Sequence, residues 1–198
     1  MKVKFCGLTR IEDIVAVNEL KPEFIGFVFY SKSKRYITFE KARELKNLLN
    51  KQILAVGVFV NSPLETVLTL LNENIIDIAQ LHGEENENYI KELKKLTQKP
   101  VIKAFKIQTA ADIELALKSP ADYILLDAGA GEGKTFNWNL IKNIHRAYFL
   151  AGGLDLNNLN EAIKLKPYAL DLSSGIETEG IKDKYKMQTF IKTLREAN

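Results

Sequence analysis

Cysteine occurs once in the 198 residues, at Cys6, and histidine twice, at His82 and His145. A lone thiol excludes an internal disulfide framework. Two histidines so far apart offer no HExxH or CxxC spacing, so neither a metal nor another cofactor is expected. Long apolar runs are also missing. The longest, Ile53 to Val60, falls well short of the roughly 20 residues that a membrane helix needs. The stretch MKVKFCGLTR has no signal-peptide apolar region, so a cytoplasmic protein without a membrane partner is expected. Nor is there a block of one charge: 28 basic and 25 acidic side chains are interspersed, for a formal net charge of +3. This gives no reason to expect a nucleic-acid partner. No proline/serine linker or low-complexity tract divides the chain. With 46% hydrophobic residues, it can bury one good core, and a single domain over residues 1–198 is expected.

What is present is alternation. Short β-branched or aromatic runs mark strands at Val3 to Cys6, Phe24 to Phe29, Ile53 to Val60, Ile76 to Gln80, Val101 to Phe105, Tyr123 to Asp127, Ala147 to Leu150 and Ala169 to Leu172. Between and after them, apolar residues at i, i+3 and i+4 predict helices over Ile11 to Leu20, Phe39 to Leu49, Leu64 to Asn72, Tyr89 to Leu96, Ala110 to Lys118, Trp138 to Ile144, Leu156 to Lys164 and Lys184 to Arg195. A helix after every strand brings the chain back to start the next strand in the same direction, so the strands pair in parallel. An open doubly wound sheet satisfies that rule too. The near-even pitch of about 24 residues per unit, stopping at eight, favours an α/β fold closed as a single (β/α)8 TIM barrel.

In such a barrel, chemistry sits where the strands end. Cys6 ends the first strand. It is either a small buried apolar residue or, at that rim, a thiolate able to remove a proton. Asp127 ends the sixth strand, as a loop cap or as an acid partner for Cys6 if an apolar setting keeps it protonated. Arg35, in YSKSKRYIT, is either a solvated loop residue beside Lys32 and Lys34 or a planar clamp for a carboxylate. His82, in QLHGEE, either lines the pocket or is a hydrogen-bonded structural histidine. His145 falls at a predicted helix end and reads as structural. LAGGL (150–154) and DLSSGIE (171–177) follow the seventh and eighth strands. Gly152, Gly153, Ser174 and Gly175 are ordinary turn formers or, taken together, a phosphate cradle in which serine hydroxyls add donors.

These segments also spell a family. KFCGLTR, GFVFYSKSKRYIT, VGVFVN, QLHGEE, LLDAGAGEGKTFNW, LAGGL and DLSSGIETEGIKD occur in that order, and together they resemble phosphoribosylanthranilate isomerase of tryptophan biosynthesis. The resemblance implies a barrel isomerase that needs no cofactor or metal. It implies Amadori rearrangement of a small-molecule substrate, N-(5-phosphoribosyl)anthranilate, to the 1-(2-carboxyphenylamino)-1-deoxyribulose 5-phosphate, the third step from chorismate to tryptophan. By motif, Cys6 becomes the general base and Asp127 the general acid. Arg35 holds the anthranilate carboxylate, and Gly152, Gly153, Ser173 and Ser174 surround the phosphate. Family members occur as monomers and as homodimers, and both remain open here. Lys34 and Asn137 replace a more usual proline and aspartate, which bears on loop rigidity rather than on the acid or base.

Two rival readings stand beside this one. AGAGEGKT ends like a P-loop, but Phe136 and Asn137 intervene before a helix whose N-cap reads as Asn137, so phosphates could hardly sit on that helix end. The stretch then serves as a flexible loop closing over the site, with Lys134 solvated. The other rival is a barrel acting on a different aminosugar phosphate, or binding a sugar phosphate without turning it over. The related histidine-pathway isomerases are expected to carry aspartate where Cys6 stands and to show two repeated halves, which this chain lacks.

Overall fold

The computed structural model describes residues 1–128, 135–142 and 144–196. Eight parallel strands close on themselves in sequence order: β1 (Lys2–Cys6), β2 (Phe24–Val28), β3 (Leu54–Phe59), β4 (Ile78–Leu81), β5 (Val101–Lys106), β6 (Tyr123–Asp127), β7 (Tyr148–Leu150) and β8 (Ala169–Leu172). Closure is made by β1 against β8, with Val3 opposite Leu170 and Phe5 opposite Leu172. The helices are α1 (Ile11–Leu20), α2 (Phe39–Leu48), α3 (Leu64–Asn72), α4 (Glu87–Leu96), α5 (Ala110–Lys118), α6 (Leu159–Lys164) and α7 (Lys184–Glu196). Among the described residues no helix is long and apolar enough to cross a membrane.

Strand alternation sorts the side chains into two cores. Outward residues such as Val3, Phe5, Ile25, Phe27 and Phe59 meet the buried faces of the helices. Inward residues Phe24, Val56, Ile78, Ile102, Leu125, Phe149 and Ala169 fill the barrel. Tyr123, Tyr168, Phe24 and Phe149 pack ring on ring, Tyr123 stacking on Tyr168 at 5.0 Å between centroids and Phe24 tilting against Phe149 at 5.4 Å. This layer lies at the strand starts, because Phe24, Tyr123 and Ala169 are the first residues of their strands. The barrel is therefore solid at its base.

Three local expectations change. Of the predicted helix from Trp138 to Ile144, the described residues form a 3₁₀ turn, Trp138–Ile141, with Asn137 capping it through the Asn139 N–H at 3.1 Å. The Arg146 guanidinium then bonds the carbonyls of Leu117 and Ser119 at the end of α5, both at 2.9 Å, which ties the segment before β7 to that helix. His145 accordingly sits in an exposed connection rather than at a helix end. Helix α6 starts at Leu159 rather than Leu156 because Asp155 and Asn158 form a side-chain turn: Asp155 Oδ1 accepts from the N–H groups of Asn157 and Asn158, at 2.8 and 3.2 Å. Unforeseen is an antiparallel hairpin after β8, made of β9 (Glu177–Thr178) and β10 (Ile181–Lys182). Glu179 and Gly180 both have positive φ, 52° and 80°, as a tight two-residue hairpin loop requires.

Candidate active site

The upper ends of the strands enclose a cavity lined by Cys6, Arg35, Gln80, His82, Asp127, Gly152, Gly153, Asp171, Ser173 and Ser174 among others. A roomier hollow of about 400 Å³ lies off the barrel, against α4 and α5. Its buried charges already neutralise each other, Lys103 Nζ lying 2.9 Å from Glu85 Oε2, whereas the barrel mouth gathers an acid, a thiol and an imidazole.

Cys6 ends β1 with its side chain buried against Val28 and Val58. Room for the sulfur is made by Gly26, its register partner on β2, where a Cβ would come within 2.6 Å of Sγ. Two residues back on the same inward face is Lys4, fully buried, with Nζ 3.0 and 2.9 Å from the two carboxylate oxygens of Asp171. Burial opposes the Lys4 charge, but Asp171 and then Cys6 outweigh it and hold the ammonium above the ordinary lysine value. Burial pushes the Cys6 thiol up, while Lys4 and, more weakly, Lys182 pull it part of the way back.

Asp127 ends β6. Its Oδ2 lies 3.1 Å from His82 Nε2, and the Gln80 amide nitrogen lies 2.9 Å from Nδ1 of the same ring. With Nδ1 accepting from the amide, Nε2 carries the ring proton and donates it toward Asp127. Gln80 is buried, and its Oε1 has no partner among the described residues.

Gly152 (φ +87°) follows β7 where a Cβ would meet the Ala128 nitrogen at 2.5 Å and Asp127 Oδ1 at 2.6 Å. Gly175 packs harder still: a Cβ there would lie 1.9 Å from the Leu154 carbonyl oxygen. The loops after β7 and β8 therefore touch through backbone, which only glycine allows. Ser174 opens a 3₁₀ turn, Ser174–Ile176, directly after β8. Ser173 is partly committed, its hydroxyl donating to the Cys6 carbonyl at 3.2 Å. Arg35 does reach the cavity from the loop after β2, with its guanidinium gripping Glu177.

The structure thus brings Cys6, Arg35, His82, Asp127, Gly152, Gly153, Ser173 and Ser174 to one mouth, with Gly175 beside it. Residues 129–134, including Lys134 and the expected closing loop, lie outside the described residues. Sequence reading gave no role to Lys4, Gln80, Asp171, Glu177 or Lys182. Gln80 and Asp171 carried a usable signal: each is polar at an inward position of an otherwise apolar strand, IAQL and ALDL.

The pattern of the family described as N-(5'phosphoribosyl)anthranilate (PRA) isomerase matches residues 3–193. A curated relative named N-(5'-phosphoribosyl)anthranilate isomerase, from Thermoanaerobacter sp. (strain X514), is 45% identical over 203 residues, covering 98% of each chain. The crystal structure of phosphoribosyl anthranilate isomerase from Thermus thermophilus is 37% identical over 100% of both chains, with a TM-score of 0.90. Another phosphoribosyl anthranilate isomerase, crystallised in complex with reduced 1-(o-carboxyphenylamino)-1-deoxyribulose 5-phosphate, is 37% identical over 99% of each chain, with a TM-score of 0.87.

Proposed function

The chain belongs to the N-(5'-phosphoribosyl)anthranilate isomerase family, and from that premise we propose how its barrel mouth carries out the Amadori rearrangement. The observation that carries the reading is the pairing of one buried thiol with one histidine-bound carboxylate across a single cavity. Asp127 protonates the furanose ring oxygen; the C1–O bond breaks, and the anthranilate nitrogen lone pair closes a protonated Schiff base. Cys6 then takes the proton from C2, the electrons of that C–H bond forming C1=C2 and neutralising the iminium. The enolamine becomes the ketone as the C2 hydroxyl loses its proton and C1 gains one.

The order of these steps follows from charge. A thiol raised by burial gives up its proton reluctantly, and ring opening places a positive iminium close to it, which favours the anion. Acid catalysis therefore comes first. His82 would hold Asp127 in place and supply the hydrogen bond that stabilises its carboxylate once the proton has left. The backbone N–H groups around Gly152, Gly153 and Gly175, with the Ser174 hydroxyl and the region of Ser173, form the phosphate end. Arg35 binds the ring carboxylate at the other. Anchoring the two remote anions orients the sugar between acid and base. The same reading takes residues 1–198 as one domain working in the cytoplasm.

The test is the loss of substrate fluorescence with freshly prepared phosphoribosylanthranilate. The wild-type protein turns it over, and Cys6→Ala and Asp127→Asn each lose about 10²- to 10⁴-fold in kcat. Full activity in both variants would overturn the assignment.

A further inference from the structure

Arginine offers a carboxylate two separate edges, one made by Nε and Nη2, the other by Nη1 and Nη2. Among the described residues, Arg35 commits only the first. Its Nε lies 2.6 Å from Glu177 Oε1 and its Nη2 2.8 Å from Oε2, a planar two-point grip. The stem of Arg35 reaches that position by crossing Gly7, where a Cβ would come within 2.4 Å of Arg35 Cδ. The side chains of Arg35 and Glu177 are only 15% and 5% exposed, so water replaces little of what each gives the other.

Glu177 does not depend on Arg35 for its own position. It stands opposite Lys182 in the hairpin, and Oε1 also accepts from Lys182 Nζ at 2.6 Å. Lys182 is tied in turn to the Ser173 carbonyl at 2.9 Å. The backbone carbonyl of Glu177 is held by Lys186 Nζ at 2.6 Å, and that of Lys182 by Arg10 Nη2 at 3.1 Å. A carboxylate that merely blocked Arg35 would be held by Arg35 alone. This one is built into a strand and shared by two cations, so the cluster keeps a net positive charge beside the cavity.

We propose that Glu177 is a positioning residue for the carboxylate end of the site: by occupying the Nε/Nη2 edge of Arg35, it turns the Nη1/Nη2 edge toward the ring carboxylate of the substrate. The β9–β10 hairpin is then the template that gives an arylamine bearing a carboxylate its preference over one without. This inference rests on the reading of Arg35 as the carboxylate anchor. The Glu177 carboxyl stays ionised because Arg35 and Lys182 overcome its burial and hold it below the usual glutamate value.

Two stable ligands separate the possibilities: the reduced product analogue, 1-(o-carboxyphenylamino)-1-deoxyribulose 5-phosphate with its ketone reduced, and its counterpart lacking the ring carboxylate. Each is titrated calorimetrically into the wild type, Arg35→Ala and Glu177→Gln. The wild type prefers the carboxylated ligand. Glu177→Gln binds that ligand about tenfold more weakly, the scale of one charge-assisted contact, and binds the carboxylate-free ligand within about twofold of wild type, which also shows that the variant is folded. Equal weakening of both ligands would make Glu177 a brace for the fold alone, and unchanged or tighter binding of the carboxylated ligand would make it a bystander or a plug. Any of these overturns the proposal. If Arg35→Ala keeps the full wild-type preference, the Arg35 reading itself fails, and the separate arm shows that as a distinct outcome.

Discussion

At Cys6 the same burial that shields the thiol also raises it above its ordinary value of 9.0. An acid held up in the folded state keeps a proton that the unfolded chain releases. This thiol therefore stabilises the fold below the ordinary thiol range and loses that contribution as pH climbs through the raised folded value. In the free protein, alkylation of Cys6 by iodoacetamide should rise with pH along a titration centred above 9.0. Lys4→Met removes the nearest cation and should move that midpoint further up. It also strands Asp171 in the barrel, at a cost of about 3–5 kcal/mol measured by urea unfolding. A midpoint below 9.0, or a downward shift in the variant, would contradict the electrostatic account. Residues of this kind mark how far the sequence could be read. Cys6, Arg35 and Asp127 were visible from their places at strand ends and in motifs, whereas the Lys4–Asp171 pair joins positions 167 residues apart, a pairing no local pattern contains.

Among the elements, strands and long helices were legible because burial imposes their periods: α1, α3, α5, β6 and β8 keep the limits their apolar spacing predicts. The failures are short segments governed by single polar side chains, such as Arg146 in front of β7 and Asp155 in front of α6. The β9–β10 hairpin escaped for the same reason, since ETEGIK has only two residues per strand and no alternation long enough to register. Contact between the loops after β7 and β8 belongs to this scale as well. Gly175→Ala would drive a methyl into the Leu154 carbonyl oxygen, and a backbone atom cannot swing aside. The loops must part, so KM should rise by about tenfold or more while the variant still unfolds cooperatively. An unchanged KM in steady-state kinetics would show that the loop contact has no part in binding.

On the scale of the molecule, the barrel divides labour between its ends. The base is filled by rings and aliphatic side chains, with Phe149 fully buried among Phe24, Tyr123 and Tyr168. Phe149→Ala should cost about 3–5 kcal/mol in urea unfolding and leave kcat within a few-fold at temperatures where the variant is folded. A collapse of kcat with no loss of stability would mean that the two ends are not separable. The closed ring was foreseeable from eight evenly spaced units, but the depth of packing beneath the site was not, because spacing along the chain does not say which rings meet inside the barrel.

That filled base has a kinetic meaning. Among the described residues the barrel is packed with side chains beneath the reaction chamber, so substrate and product share the mouth above it. Each excludes the other while it is bound, so every turnover includes an emptying step before the next substrate can enter.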